Sequence, residues 1–183
     1  MKQLNLTNVQ EPSGFTTLPA GAYVCVIRNV QDFPDREYLK VTYDIAEGEF
    51  KGYYDDIRKN HPDWEWSGAY AKSYKEKALP MFKRFCTAIS KSNGAYVFDG
   101  GTVNSDETTL VGKKLGIVLG EEEYYSNSGD KKTRLYVHRE CPVDQIASQR
   151  VPNKKELNDG DTNNAQASEF MNIPEGGVEE IPY

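Results

Sequence analysis

Apolar and polar side chains alternate between residues 38 and 45 of the chain. The apolar positions are Leu39, Val41, Tyr43 and Ile45. A period of two predicts a β-strand with one face against the core and the other toward solvent. A short polar link with Gly48 follows, and residues 50–59 combine aromatic rings with cations. We interpret residues 38–59 as a β-hairpin whose reversal lies in that link.

Other segments continue the pattern. Three runs have the β-branched and aromatic composition of strands, namely residues 21–29, 113–123 and 132–139. Apolar positions spaced by three and four predict a helix that ends at Asn93-Gly94. Ser73 and Glu76 fit a capping box at its start, and Pro80 predicts a kink or break. Residues 60–72 and 95–112 are irregular in pattern.

The predicted order is strand, strand, strand, helix, strand, strand. It indicates a mainly β protein, an OB-fold-like five-stranded barrel with a helix between strands 3 and 4. The ligand surface of that fold is the face of strands 2 and 3, flanked by the loops that join strands 1–2 and 4–5. Here those loops are residues 30–37 and 124–132.

Composition limits the class of protein. The chain has 183 residues, of which 38% are hydrophobic, enough for one core of ordinary size. No apolar run approaches the ~20 residues of a membrane span, and residues 1–14 contain no apolar signal segment. Its 3 cysteines are odd in number and far apart, which favours reduced thiols. We expect a cytoplasmic protein without membrane contact.

Charge separates the body from the C-terminal end. All 22 Lys and Arg residues lie within residues 1–155, which are nearly neutral, whereas residues 156–183 hold acids and no base. The sequence pI of about 5.1 therefore reflects the end of the chain. We divide the chain into an N-terminal arm (residues 1–20), an OB-fold-like domain (21–152) and a disordered acidic tail (153–183).

Aromatic rings stand beside cations at the hairpin and at both predicted loops. This combination suits single-stranded nucleic acid, because bases stack on rings for about 1–3 kcal/mol each and phosphates need countercharge. The candidate DNA-binding residues are Arg28, Phe33, Arg36, Lys40, Lys51, Tyr53, Lys59, Trp64, Trp66, Tyr70, Lys72, Tyr124, Tyr125, Lys131, Lys132, Arg134 and Tyr136. Any one of these rings can instead be a core residue, and both tryptophans can pack over the end of a barrel. Double-stranded DNA fits less well, since no helix-turn-helix, zinc finger or basic helix is present.

Adjacent tyrosines on a strand point to opposite faces. Tyr43 falls on the buried face by alternation, and only one of Tyr53 and Tyr54 can lie in a groove. We expect it to be Tyr53, which would share a face with Lys51 and Lys59.

The acidic tail ends in an apolar-aromatic tip. Its candidate partner-binding residues are Glu179, Glu180, Ile181, Pro182 and Tyr183. Such an end on an acidic tether can enter a pocket of a partner protein, with the acids meeting basic residues. We further hypothesise that the tail competes with DNA for the basic groove.

Signs of catalysis are weak. Asp55-Asp56 and residues 121–123 supply carboxylates, but such acids are more typical of a solvated strand edge. His138 and Cys141 lack the further ligands of a zinc site. We expect no enzyme activity, no bound metal and no cofactor. A protein-interaction module without DNA binding and a metal-dependent nuclease remain alternatives.

The run YDIAEGEFKGYY (residues 43–54) resembles the central motif of a family of small phage and prophage proteins, described as single-stranded DNA-binding or left uncharacterised. Residues 73–75, 78–80, 92–93 and 112–114 resemble the same family, so the resemblance covers roughly residues 18–152. It implies stoichiometric binding and protection of single-stranded DNA in phage-type replication or recombination, in the cytoplasm of a bacterial host or lysogen. Homo-oligomers are left open.

The tip of the tail resembles the C-terminus of bacterial single-stranded DNA-binding proteins, an acidic run followed by Ile-Pro-Phe. Tyr183 stands where that family has Phe, and only two acids are adjacent. This resemblance implies that the tip recruits replication, recombination and repair proteins.

Overall fold

The computed structural model describes residues 17–157 of the chain. They contain β1 (Gly21–Phe33), β2 (Tyr38–Ile45), α1 (Tyr53–Asn60), β3 (Ala69–Ser73), α2 (Leu79–Ser92), β4 (Lys114–Tyr125) and β5 (Lys131–Cys141). Short 3-10 turns cover Pro34–Arg36, Glu76–Ala78, Glu107–Leu110 and Val143–Ser148. The tip residues Glu179, Glu180, Ile181, Pro182 and Tyr183 lie outside the described residues.

The five strands form one antiparallel sheet in the order β3-β2-β1-β4-β5. The prediction of a mainly β protein with a helix between strands 3 and 4 is confirmed, because α2 follows β3 and precedes β4. In the described part of the chain the sheet is open, with β3 and β5 at its edges. These two strands do not pair there, so the predicted barrel is not closed by strand pairing in residues 17–157.

One face of the sheet forms the core together with α2. Its fully buried side chains include Ile27, Val41, Leu115 and Ile117. Helix α2 contributes Phe82, Phe85, Cys86 and Ile89, whose spacing places them on one side of the helix. The predicted burial of Tyr43 is confirmed, since only 3% of its surface is exposed. Cys25, Cys86 and Cys141 are buried free thiols.

The predicted strand over residues 50–59 is wrong, because this segment contains helix α1. Phe50, Tyr53, Tyr54 and Ile57 are spaced by three and four, and all four pack against the core. Gly52 begins the helix with φ +77, a backbone conformation that glycine adopts readily. Tyr53 and Tyr54 are therefore neighbours on a helix and do not lie on opposite faces of a strand.

The carboxylate of Asp44 fixes the start of α1 to the end of β2. Its Oδ1 accepts hydrogen bonds from the amides of Ile45 (2.8 Å) and Tyr54 (3.1 Å). Asp44 is fully buried, and Arg28 lies 3.4 Å from its other oxygen. The YDI portion of the motif thus ends a strand, and its GYY portion starts a helix.

The third strand and the start of α2 differ from the prediction. The strand Ala69–Ser73 lies in the segment that was expected to be irregular and to lead into the helix. The Ser73 hydroxyl accepts from the amide of Lys75 at 3.2 Å, so the predicted capping box is replaced by a turn before the helix. Pro80 lies in the first turn of α2, where a missing amide hydrogen is tolerated. The helix ends at Asn93-Gly94 as predicted.

A buried ion pair joins the two edge strands. The ammonium of Lys72 on β3 lies 2.7 and 2.9 Å from the two carboxylate oxygens of Glu140 on β5. Only 8% of Lys72 and 2% of Glu140 is exposed. The sheet therefore curls far enough for side chains from its opposite edges to meet inside the core.

Strands β4 and β5 extend beyond β1. Strand β1 pairs only with residues 114–119 of β4, whereas β4 and β5 remain paired to residues 125 and 131. We call residues 120–136 the β4–β5 arm. Residues 150–157, which we call the strap, run along it, and the amide and carbonyl of Lys155 bond to Glu121 and Glu123 at 2.9 Å each.

The described helices are too short or too polar for any of them to cross a membrane.

Candidate nucleic-acid interface

The side of β1, β2 and β3 that faces away from the core, here called the outer face, is polar and flat. On β2 it presents Tyr38, Lys40 and Thr42, which alternate with buried side chains. The residues paired with Lys40 and Thr42 on β3 are Ala71 and Ala69. Because these alanines are small, the outer face of β3 leaves room above it for a ligand.

Aromatic rings stand at both ends of the outer face. The rings of Phe33 and Tyr38 stack at one end, with centroids 4.8 Å apart and planes within 10°. Trp66 lies at the other end, past the position where Thr42 pairs with β3. Tyr38 and Thr42 are four residues apart on a strand, so the two ends are separated by about 13 Å.

Between these rings lies a groove of about 230 Å³, which we call the outer-face groove. Its lining residues are Asn29, Gln31, Lys40, Thr42, Arg58, Glu65 and Trp66. Amides, a hydroxyl and two cations face one open space with a single acid. Such a surface can hold a phosphodiester chain and present a ring to a base.

The loop that follows α1 holds the tryptophans in place. The indole Nε1 of Trp66 donates to the carbonyl of Tyr43 at 2.9 Å, and its half-buried ring packs against Tyr54. The Trp64 ring stacks on His61 with centroids 3.8 Å apart, and Arg58 donates to the Trp64 carbonyl. Both rings are anchored on one side and partly open on the other.

Several predicted residues at the hairpin have other positions. Tyr53 packs against Phe50 and Tyr54, and its hydroxyl accepts from the amide of Leu18 at 3.3 Å. Lys59 pairs with Asp55 at 2.8 Å and with Asp56 at 3.3 Å, so the pKa of its ammonium is raised by these hydrogen bonds. We therefore correct the expectation that Tyr53 and Lys59 share a strand face in the groove. Lys51 is exposed in the loop before α1, and Arg36 is exposed in the turn after β1.

Tyr70 and Lys72 point into the core, where a DNA strand cannot reach them. Burial raises the pKa of Tyr70 well above its usual range, and the charge of Glu140 adds to this effect. Lys72 is held by the same carboxylate. Tyr70 and Lys72 lie on the buried face because successive residues of β3 alternate between its two faces. The sequence reasoning did not predict a strand at Ala69–Ser73.

On the β4–β5 arm, rings and cations are already engaged with neighbouring side chains. Arg134 bonds Glu122 at 2.8 Å and lies over the Tyr124 ring, 5.0 Å from its centroid. Lys131 bonds Glu123 at 2.7 Å. Lys132, which pairs with Tyr124 across the strands, is half-buried, whereas Tyr125 is 53% exposed.

The strap covers Tyr136. The ammonium of Lys155 lies 3.8 Å from the centre of its ring, and Pro152 packs where Gly120 leaves no side chain. A side chain at Gly120 would collide with both Pro152 and Tyr136. The Tyr136 ring therefore holds the strap, and a base cannot stack on the side that the strap occupies.

Glu123 is the anchor between the arm and the strap. Hydrogen bonds from Lys131, Lys154 and the amide of Leu157 lower the pKa of its carboxyl to about 2. Residues 153–157, which the sequence assigned to the tail, are thus held against β4.

The sequence reasoning missed five lining residues of the outer-face groove: Asn29, Gln31, Thr42, Arg58 and Glu65. The signal for Asn29 and Gln31 was weak, because they flank the buried Val30 but the alternation is interrupted by the adjacent polar pairs Arg28-Asn29 and Gln31-Asp32. A register shift between Ile27 and Asn29 also interrupts the pairing with β2. Arg28, which was predicted, is half-exposed and is directed to Asp44.

Within residues 17–157, no group of three or more His, Cys, Asp or Glu side chains is placed to hold a metal ion. Burial lowers the pKa of His138 and raises that of Cys141. His138 is exposed whereas Cys141 is buried, so the two side chains lie in different environments.

No protein-family model matches the chain, and no curated protein matches it.

Proposed function

We propose that the protein binds and protects single-stranded DNA without catalysing a reaction. The observation that carries this proposal is the outer-face groove, which is open, polar and bounded by rings at both ends. Lys40 forms no ion pair with any residue of the described chain, so its charge is available to a phosphate. Rings and cations of this kind bind single strands without reading a particular sequence.

The order of the strands supports the same proposal. The pairing order β3-β2-β1-β4-β5 and the position of α2 are compatible with an OB-fold, in which strands 2 and 3 bind oligonucleotides. Lys72 and Glu140 connect the two edges that such a barrel would bring together. We therefore propose an OB-like fold with an incompletely paired edge.

The resemblance of residues 43–54 to phage single-stranded DNA-binding proteins supports a role in phage-type replication or recombination. In this proposal the tip Glu179, Glu180, Ile181, Pro182 and Tyr183 recruits replication or repair proteins. The acidic residues before it reduce DNA affinity by occupying cations of the body.

Tryptophan fluorescence tests DNA binding directly, because one of the 2 tryptophans of the chain, Trp66, lines the groove. We would titrate the full chain with oligo-dT at two salt concentrations, with and without Mg²⁺. We expect quenching that weakens as salt rises, with the oligonucleotide intact. Absence of any response would favour a protein-interaction module, and cleavage in Mg²⁺ would favour a nuclease.

Two single-tryptophan variants locate the strand. In Trp64→Phe the remaining reporter is Trp66 in the groove, and in Trp66→Phe it is Trp64 stacked on His61. We expect the larger quenching in Trp64→Phe. Equal quenching of both variants would contradict the assignment of the groove as the principal contact.

A chain ending at Leu157 tests the tail. This boundary keeps Lys155 and Leu157, which hold the strap to β4, whereas removal of residues 156–183 would disturb it. We expect tighter DNA binding at low salt, because six acids are removed with residues 158–183. Unchanged affinity would contradict competition by the tail.

A further inference from the structure

A second pocket, which we call the basic pocket, lies between the C-terminal half of β5 and the start of the strap. Its volume is about 390 Å³, and its lining residues are His138, Arg139, Arg150, Val151, Pro152 and Asn153. None of these side chains is an acid. The pocket shares no lining residue with the outer-face groove.

The arginines of this pocket differ from the cations of the neighbouring arm. Lys131, Arg134, Lys154 and Lys155 each lie within ion-pair distance of Glu122 or Glu123. Among residues 17–157, neither Arg139 nor Arg150 has an acidic partner. Positive charge is therefore left uncompensated in the basic pocket, whereas on the arm Glu122 and Glu123 compensate it.

Arg139 carries a second indication. Its Nε is buried and has no hydrogen-bond partner in the described part of the chain. A buried donor without an acceptor is rare and costs about 1–3 kcal/mol, and more for a charged group. This Nε is closed to solvent, so an oxyanion in the pocket reaches it only when the guanidinium turns toward the pocket. The Nε–H and one Nη–H then point the same way and can both donate to the oxyanion.

The environment of His138 reports the local electrostatic field. Burial lowers the pKa of its imidazole, and the charges of Arg139, Lys155 and Arg84 lower it further. These three cations belong to β5, the strap and α2, so positive charge acts on His138 from three elements. A bound anion would oppose this field and make the imidazole easier to protonate.

We infer that the basic pocket binds a phosphate group. Two guanidinium groups offer the planar, multidentate donors that phosphate oxygens accept, and Val151 and Pro152 form an apolar wall for an attached sugar or base. The volume lies within the range of about 300–1,000 Å³ that is typical of small-ligand sites. The inference does not rest on the proposed function, since the pocket and the groove are built from different residues.

The phosphate could belong to a DNA strand, to a nucleotide or to the free ion, and three probes distinguish these sources. We would record NMR titrations of both histidines of the full chain with inorganic phosphate, with thymidine monophosphate and with oligo-dT lacking terminal phosphates. Ionic strength is kept constant with chloride. We expect the pKa of His138 to rise by about one pH unit on binding, while His61 serves as an internal reference.

Arg150→Gln is the principal variant, because Arg150 is exposed and its replacement should leave the fold intact. We expect it to weaken phosphate binding about tenfold, through the loss of charge-assisted hydrogen bonds. Arg139→Lys keeps the charge but removes the fork, and should also weaken binding. Lys91→Gln, at an exposed cation on α2, is the matched control and should bind phosphate normally.

Three outcomes would overturn the inference: equal shifts of His138 and His61 with inorganic phosphate, equal weakening in Lys91→Gln, or no response to any of the three phosphate probes. A response only to a synthetic peptide of residues 158–183 would assign the pocket to carboxylates and would also contradict it. If the groove did not bind DNA, the tryptophan response to oligo-dT would be absent while inorganic phosphate still shifted the pKa of His138. The two proposals can therefore fail separately.

Discussion

The outer-face groove and the β4–β5 arm contain the same kinds of residue in different states. In the groove, Lys40 faces open space. The stacked Phe33 and Tyr38 lie two residues further along their strands. On the arm, Arg134 is occupied by Glu122 and by the face of Tyr124. The donors of the groove are open to a ligand, whereas those of the arm bind other side chains of the arm.

The cross-strand partner explains the difference. On the arm, the register places Glu122 opposite Arg134, an arrangement that stabilises an antiparallel pair. Across from Lys40 the register places Gln31 on one side and Ala71 on the other, and neither can neutralise an ammonium. A ring beside a cation thus indicates a ligand surface only when the paired strand leaves the cation uncompensated.

The largest expected effect comes from breaking the buried ion pair between β3 and β5. Lys72→Met leaves the carboxylate of Glu140 buried without a countercharge, and we expect it to lower the free energy of unfolding by about 3–5 kcal/mol. Thermal or denaturant unfolding measures the loss. Adding Glu140→Leu should restore much of the stability, because two apolar side chains replace the pair.

Lys114→Met is the matched control for this experiment. Lys114 also pairs with a glutamate at 2.7 Å, but both side chains are about half exposed. We expect a change of about 0–1 kcal/mol, as for other surface pairs. Equal destabilisation by Lys72→Met and Lys114→Met would show that the connection between β3 and β5 is not a buried pair.

The fold could be predicted where strands have a regular alternation, as in β2, or a continuous apolar run, as in β4. Strand β2 was predicted with the bounds that the structure has, and β4 and β5 within two residues. Helix α1 was missed although Phe50, Tyr53, Tyr54 and Ile57 have helical spacing. The aromatic content of that run favours a strand, and its local composition was given more weight than its period.

Stacking in the groove is expected to have the next largest effect. Phe33→Ala removes a half-buried ring from the Phe33–Tyr38 stack and should weaken binding of oligo-dT by about 1–3 kcal/mol. Tyr125→Ala removes a ring that is 53% exposed on the arm and should have a smaller effect. Fluorescence titration of both variants at one salt concentration measures the difference. A larger loss in Tyr125→Ala would reverse our ranking of the two surfaces.

The candidate site could be predicted only in part. Lys40 was placed on strand 2, where the structure has it. Phe33 was placed in the loop of residues 30–37, but it is the last residue of β1. Trp66 was placed after a third strand over residues 50–59, but it precedes β3. The pairing of Arg134 with Glu122 and the covering of Tyr136 by the strap depend on register and on a segment distant in sequence. No local pattern contains that information.

A smaller effect is expected in the salt dependence of DNA affinity. This dependence distinguishes cations without an acidic partner from cations whose charge an acid compensates. Each phosphate contact to single-stranded DNA contributes about 0.7 to the slope of log affinity against log salt. We expect Lys40→Gln to reduce the slope by about that amount, whereas Arg134→Gln should change it less, because Glu122 already compensates its charge. The slope is measured by repeating the oligo-dT titration over a range of salt. Equal reductions in both variants would mean that the arm also contacts phosphates.

The smallest expected effect is local and concerns the strap. Glu123 has a pKa of about 2 in the folded chain against an ordinary value of 4.5, so its contribution to stability is complete above about pH 4.5. As the pH falls from 4.5 toward 2, protonation removes the bonds to Lys131, Lys154 and Leu157. We expect the Leu157 amide resonance to shift over this range while residues in β2 remain unchanged. In Glu123→Gln the Leu157 amide should lose this titration. If the titration persisted in the variant, another acid would anchor the strap. Glu123 would then no longer support the contrast between an arm whose charges are compensated and a groove that is open.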